Sequence, residues 1–219
     1  MLNRMAMVLV VGMAMVPIAA GATIVNGTFA GIIDSGGSDT SGVFGTPLTD
    51  LSGLAITGTF YYDTDLLSSS IVGDTNTASG LGIGALTVTI TIGGGSHIFT
   101  DQTSSSVYLD TAVSQFTIQN ANSQSADPTS VAETFFLDVL DPSTPFVLST
   151  DLVQAFSAVP LLGSGTFSIN NTGPNAVSSA GFSVTEVTLS PVPEPASLGA
   201  LLAGLAGLAT VRARRARRV

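Results

Sequence analysis

The segment LTVTITI, residues 86–92, limits the fold of this chain more than any other feature. Four aliphatic residues alternate with three threonines. A period of two places the aliphatic side chains on one face of a strand and the threonines on the other. A run of three glycines follows, and residues 97–100 are predicted to return as the second strand of a hairpin.

The same alternation predicts further strands at residues 54–62, 106–110, 113–119, 133–140, 165–169 and 181–189. In the last segment the apolar side chains change face between Val184 and Val187, which predicts a β-bulge near Glu186. Clusters of Gly, Ser, Asn, Asp and Pro separate the segments. About eight to ten strands with this spacing predict an all-β fold, an antiparallel β-sandwich or jelly roll. One short helix is predicted at residues 148–159.

The tripeptide GTF occurs three times, beginning at Gly27, Gly58 and Gly165. The intervals between the copies are unequal, which excludes a tandem repeat. Each copy is interpreted as a turn glycine followed by the start of a strand.

Charge is distributed unevenly along the chain. All six basic residues are arginines, and none lies between Met5 and Val211. Fourteen of the fifteen acidic residues lie in residues 23–190, here called the body, which therefore carries a charge of about −14 at neutral pH. This charge repels nucleic acid and excludes it as a partner. Because the chain also has no cysteine, apolar burial and backbone hydrogen bonds must stabilise the body.

Residues 1–22 have the layout of a cleaved secretory signal peptide. Arg4 precedes an apolar run at residues 5–16, and the small residues Ala20 and Ala22 occupy the two positions that a signal peptidase reads. The run is too short for a stable membrane span. The expected partners are the Sec translocon and signal peptidase, and the alternative is a buried N-terminal helix.

Residues 191–219 combine three parts in a fixed order. A proline-flanked glutamate comes first, an uncharged apolar segment at 196–211 follows, and a basic tail ends the chain. The apolar segment is predicted to be a transmembrane helix, and basic residues beside a span hold that side in the cytoplasm. The body is therefore expected on the opposite side. The arginines of the basic tail, here called the topology lock because they fix the orientation of the span, are Arg212, Arg214, Arg215, Arg217 and Arg218.

This arrangement resembles the PEP-CTERM sorting signal. The motif residues are Val192, Pro193, Glu194 and Pro195. The resemblance implies recognition and cleavage near this motif by an exosortase, a membrane protease of Gram-negative bacteria. It also implies export through the inner membrane, a transient anchor with the body outside the cytoplasm, and a final place in the cell envelope or extracellular matrix, associated with exopolysaccharide and biofilm. Residues 56–65, ITGTFYYDTD, are similar to segments of β-rich exported proteins that carry this signal.

The body offers little catalytic chemistry. The chain has one histidine, His97, and neither cysteine nor lysine, which disfavours a serine hydrolase, a zinc site and a phosphate-binding loop. His97 is interpreted as an exposed loop or strand-edge residue. Asp63 and Asp65 are candidate ligands for Ca²⁺, with an Asx turn at a strand end as the alternative. No other cofactor is expected.

The predicted function is that of a non-enzymatic structural or interaction protein of the envelope or matrix. One alternative is a carbohydrate-binding module, although such modules present exposed aromatic rings and this chain has no tryptophan and three tyrosines, Tyr61, Tyr62 and Tyr108. The other alternative is a carboxylate-dependent polysaccharide hydrolase or lyase, which requires two acids across one cleft.

Overall fold

The structure, a computed structural model, describes residues 24–70, 75–100, 103–122, 132–170 and 177–192. All the regular elements in these ranges are β-strands, and all of their pairings are antiparallel, which confirms the predicted all-β class. The signal peptide, the apolar segment 196–211 and the basic tail lie outside the described residues. No helix in the described part of the chain has the length and apolar character needed to span a bilayer.

The described strands alternate buried and exposed side chains over most of their length, as the sequence pattern predicts. Ten of the fourteen have six or more residues, and the other four are short pairings of two or three residues. In chain order they are β1 (Ile24–Ile33), β2 (Ser38–Asp39), β3 (Thr49–Asp50), β4 (Ala55–Asp63), β5 (Ser68–Ser70), β6 (Thr77–Gly82), β7 (Leu86–Ile92), β8 (Gly95–Thr100), β9 (Ser104–Asp110), β10 (Gln115–Asn122), β11 (Ala132–Leu140), β12 (Phe156–Ala158), β13 (Leu162–Asn170) and β14 (Val177–Pro191).

Eleven of the strands form one continuous path in the sheet, in the order β5-β6-β9-β10-β11-β13-β14-β1-β4-β7-β8. Of the three short strands off this path, β2 and β12 pair with β14, and β3 pairs with β2. The sheet curls, so that β8 at one end contacts β10 and β11 on the far side without pairing with them. The rings of Phe99 in β8 and Phe135 in β11 lie 5.6 Å apart across the interior. One apolar core is thereby enclosed between the two arms of a single sheet.

Phenylalanine rings fill the centre of this core. Phe29 lies 5.6 Å from both Phe135 and Phe182, measured between ring centroids. All three rings are nearly or completely buried. Ring pairs at this separation attract one another beyond the burial of their area, which suits a core that no salt bridge to lysine or arginine can reinforce.

The interpretation of the GTF glycines as turn residues was wrong. Gly27 pairs with Phe60 and Phe29 pairs with Gly58 in the β1–β4 ladder, and each ring covers the opposite glycine. A glycine and a phenylalanine two positions apart share one face of a strand, so two antiparallel copies of GTF can exchange these contacts. In the third copy, Gly165 of β13 lies beneath a ring of β14.

The β-bulge predicted near Glu186 is confirmed. The ladder between β1 and β14 pairs Ala30 with Glu186 and then Gly31 with Val184, which leaves Thr185 as the extra residue. Both Thr185 and Glu186 are exposed. A bulge increases the local twist of the sheet and turns the side chains beside it in a new direction.

The helix predicted at residues 148–159 was wrong. This segment is an irregular loop that ends in β12, which pairs with β14. The ring of Phe156 packs 5.4 Å from that of Phe116, and the carbonyl oxygen of Leu152 accepts a hydrogen bond from the hydroxyl of Tyr62. These tertiary contacts hold the segment extended against the core and override its local helical pattern.

Candidate functional site

The two ends of the described body lie side by side. Val25 pairs with Pro191, and the amide of Val192 donates a hydrogen bond of 2.8 Å to the carbonyl oxygen of Ile24. Val192, the first residue of the predicted sorting motif, is therefore the last of the described residues at this end, and it is hydrogen-bonded to the sheet. Several predicted site residues lie outside the described residues: Ala20, Ala22, Pro193, Glu194, Pro195, Arg212, Arg214, Arg215, Arg217 and Arg218.

Asp63 and Asp65, the candidate calcium ligands, form an Asx turn at the end of β4. The amide of Asp65 donates to Oδ1 of Asp63 at 2.9 Å, which is the geometry of an Asx turn, and Leu66 then bonds back to the carbonyl of Asp63. Within the ranges that the structure describes, no group of three or more His, Cys, Asp or Glu side chains is placed to hold a metal ion. The geometry therefore assigns these two residues a turn.

A buried carboxylate organises the loop that follows β1. Asp39 is fully buried, and its two oxygens accept hydrogen bonds from the amides of Val43 and Phe44 at 2.9 and 2.8 Å. The hydroxyl of Ser178 donates a third, at 2.5 Å. Because the body has no lysine or arginine, amides and a hydroxyl take the place of an ion pair here.

His97 is a strand-edge residue, as one interpretation held, but its ring turns towards the interior. Nε2 of His97 lies 3.0 Å from Oε1 of Glu133, and the two side chains are 20% and 11% exposed. The imidazole ring is also nearly perpendicular to the ring of Phe99, with the two centroids 4.9 Å apart. This contact links β8 to β11, two strands that face each other across the interior without pairing.

A regular array of threonines covers the outer face of β1, β4 and β7. Thr28, Thr59 and Thr89 are aligned in one row across the three strands. Thr57 and Thr91 are paired in the next row. Neighbouring strands are about 4.8 Å apart and alternate residues about 6.7 Å, so the hydroxyls form a two-dimensional grid. These five residues are called the threonine face.

The threonine face lines a shallow groove of about 350 Å³. Ala30 adds little bulk to its lining, and Glu186, displaced by the bulge, contributes the single carboxylate. Thr28 shares a hydrogen bond of 2.6 Å with the hydroxyl of Thr188. The other four hydroxyls have no hydrogen-bond partner within the described residues. A groove of this size can take a small polar group or part of a longer polar chain.

An exposed aromatic ring lies beside the threonine face. Tyr61 is 47% exposed and follows Thr59 by two residues on the same side of β4, between Asn26 and Thr87 of the neighbouring strands. Its neighbour in sequence, Tyr62, is fully buried, and its hydroxyl donates to the carbonyl of Leu152 at 2.6 Å. Burial, and then the charge of Asp151, raise the pKa of Tyr62 far above its ordinary value.

The alternation in residues 86–92 correctly placed the threonines of β7 on the face opposite the core. It did not reveal the grid, because rows across strands depend on register, and β1 was not among the predicted strands. The threonine common to the first two GTF copies is the signal that could have found it. Each threonine stands between the glycine and the phenylalanine of its own GTF copy. Pairing of each glycine with the phenylalanine of the other copy therefore places Thr28 beside Thr59.

Comparison with protein-family models, with curated proteins and with solved structures found no match to this chain.

Proposed function

We propose that this chain is an exported, non-enzymatic structural or interaction protein of a Gram-negative cell envelope or extracellular matrix. In this proposal a signal peptidase cuts after Ala22, and an exosortase recognises Val192–Pro195 while residues 196–211 anchor the precursor in the inner membrane. The body faces away from the cytoplasm throughout. We further propose that the two arms of the curled sheet stack as the layers of a sandwich, since Phe99 and Phe135 meet across the interior.

The observation that supports this function most directly is the hydrogen bond from Val192 to Ile24. It joins the residue that begins the proposed sorting motif to the second residue after the proposed signal-peptide cleavage. Because β1 begins beside the end of β14, both proposed cleavage sites lie at the same end of the body, as processing at one membrane surface requires. In the proposed motif the two prolines that follow Val192 in the sequence favour the extended backbone that a protease requires.

The contacts of the histidine and of the candidate carboxylates also favour a non-enzymatic body. His97 is engaged with Glu133, and the Asp63 carboxylate closes a turn. Glu186 is the one acid lining the threonine-face groove, whereas a glycosidase needs two carboxylates across its cleft.

Intact-mass analysis of the precursor and its product, in membrane and medium fractions of an exosortase-bearing host, tests the proposal. Wild type should lose both ends. Glu194→Ala should accumulate as an anchored, uncleaved precursor, because the topology lock is intact and the recognition motif is not. Replacing all five tail arginines by Gln should release an uncut protein, since each arginine adds to the barrier against crossing the bilayer. One such replacement should change little and is the matched control.

Processing of Glu194→Ala at the wild-type rate would contradict the exosortase proposal and leave a plain single-span anchor. In a host without an exosortase, wild type should behave as Glu194→Ala does in the complete host.

A further inference from the structure

The threonine face has the chemistry of a binding surface for a neutral polysaccharide. We infer that a chain of neutral sugars lies along the groove, with its hydroxyls bonded to the threonines and to Glu186 and one sugar ring stacked on Tyr61. The inference rests on the proposed non-enzymatic function and assigns a ligand class and a site to it.

The hydroxyl grid is the first argument. A threonine hydroxyl both donates and accepts, as a sugar hydroxyl does, so a row of them can match a polyol without a fixed polarity. The hydroxyls of Thr57, Thr59, Thr89 and Thr91 are not engaged within the described residues and are available for such bonds. They stand on paired strands, so their backbone positions are fixed before a ligand arrives and little ordering is required on binding.

The second argument is the exposed ring of Tyr61. An aromatic ring can stack on the apolar face of a sugar ring while its hydroxyl remains in water. Tyr61 is held on a central strand between two paired neighbours, with about half of its side chain exposed. It stands one row along from Thr59, so one ligand can contact both the ring and the grid.

Charge selects among polysaccharides. The groove contains one carboxylate, that of Glu186, and no lysine or arginine lies between Met5 and Val211. Nothing there can neutralise the uronate, sulfate or phosphate groups of an acidic polymer, and the acidic body repels them. A neutral sugar instead offers hydroxyl donors, which form charge-assisted hydrogen bonds to the Glu186 carboxylate.

Affinity electrophoresis of the full-length chain in detergent tests the inference. Native gels contain dextran, galactomannan or hydroxyethyl cellulose as neutral probes, or alginate as the anionic probe. Wild type should be retarded by at least one neutral polymer and not by alginate. Tyr61→Ala and the pair Thr59→Val with Thr89→Val should each weaken the apparent affinity by about tenfold or more.

Thr166→Val is the matched control. Thr166 is the threonine of the third GTF copy and is also exposed on a strand, β13, but it does not line the groove. Its replacement should leave retardation unchanged. Circular dichroism and urea unfolding of each variant separate loss of binding from loss of folding.

Several results would overturn the inference: no retardation by any neutral probe, equal retardation of wild type and groove variants, or alginate binding as strong as neutral binding. A mobility change that depends only on protein concentration would assign the face to a second copy of the chain and overturn it too. Because binding is measured on the unprocessed precursor, normal processing without binding would contradict this inference alone. Binding without processing would contradict only the exosortase proposal, and release of new reducing ends would contradict the non-enzymatic function.

Discussion

The two faces of β1, β4 and β7 belong to the same three strands and have opposite chemistry. The inner face carries phenylalanine rings over glycines and a row of aliphatic side chains, all buried. The outer face carries the threonine face and Tyr61, which are partly or fully exposed. Alternate residues of each strand therefore divide between a face that the fold requires and a face that is open to solvent or a ligand.

The difference shows where sequence changes are tolerated. Inside, each ring occupies the space that an opposite glycine leaves, so the identity of both residues is fixed by shape. Outside, a threonine contacts mainly water, and its β-branched shape supports the strand whether or not it carries a hydroxyl. Matched substitutions on the two faces can therefore separate the residues that stabilise the fold from those available for function.

The largest effect is expected for Gly58→Ala on the inner face. A Cβ atom there would lie well under 3.0 Å from ring carbons of Phe29, so the ring must shift, and overpacking of this kind destabilises by about 1–3 kcal/mol. The control is Gly181→Ala in β14, where the nearest atom is Oδ2 of Asp34 at 3.4 Å. Alanine should be neutral there or stabilise by up to about 1 kcal/mol, because glycine weakens a strand interior. Urea unfolding of both variants measures the contrast.

A double-mutant cycle sharpens this prediction. In a Phe29→Ala background the ring that meets the new methyl group is gone, and the carbonyl oxygen of Thr89, 3.0 Å from the new Cβ, remains, so Gly58→Ala should then destabilise much less. Equal destabilisation by Gly58→Ala in both backgrounds would contradict the proposed contact between this glycine and Phe29.

The GTF copies also show how far sequence reasoning reaches. The strand at 86–92, the bulge near Glu186 and the all-β class follow from side-chain periodicity, which is local. The role of Gly27 depends on its pairing with Phe60, thirty-three residues away, and an isolated glycine suggests a turn. The threonine face was missed for the same reason, since its rows exist only in the observed register. The helix prediction for residues 148–159 was wrong because the packing of Phe156 against Phe116 outweighs a local helical preference.

A moderate effect is expected for Tyr62→Phe, with Tyr61→Phe as the control from the opposite face. The Tyr62 hydroxyl donates to a carbonyl that would lose this partner, so its removal should destabilise by about 1 kcal/mol. The exposed Tyr61 hydroxyl has water as its alternative partner, and its loss should change stability by less than about 0.5 kcal/mol.

The same pair predicts the response to alkali. Folding raises the pKa of Tyr62, so its contribution is fully present below the unfolded value near 10 and is lost as the pH rises above it. The chain has no lysine or cysteine, so few other side chains titrate in that range. Stability measured against pH from about 9 to 11 should therefore fall less steeply for Tyr62→Phe than for wild type or Tyr61→Phe. Parallel curves for all three proteins would contradict this assignment.

The smallest effect on stability is expected for Thr59→Val on the outer face. Valine keeps the β-branched shape and strand preference of threonine, and the Thr59 hydroxyl has no partner within the described residues. Its free energy of unfolding should stay within about 0.5 kcal/mol of wild type, which urea unfolding can measure. Thr28→Val is the comparison within the same row, because its hydroxyl bonds to Thr188 and its loss should destabilise slightly more. A loss above about 1 kcal/mol for Thr59→Val would mean that the outer hydroxyls serve the fold. An unchanged stability with weakened polysaccharide retardation would instead assign them to binding.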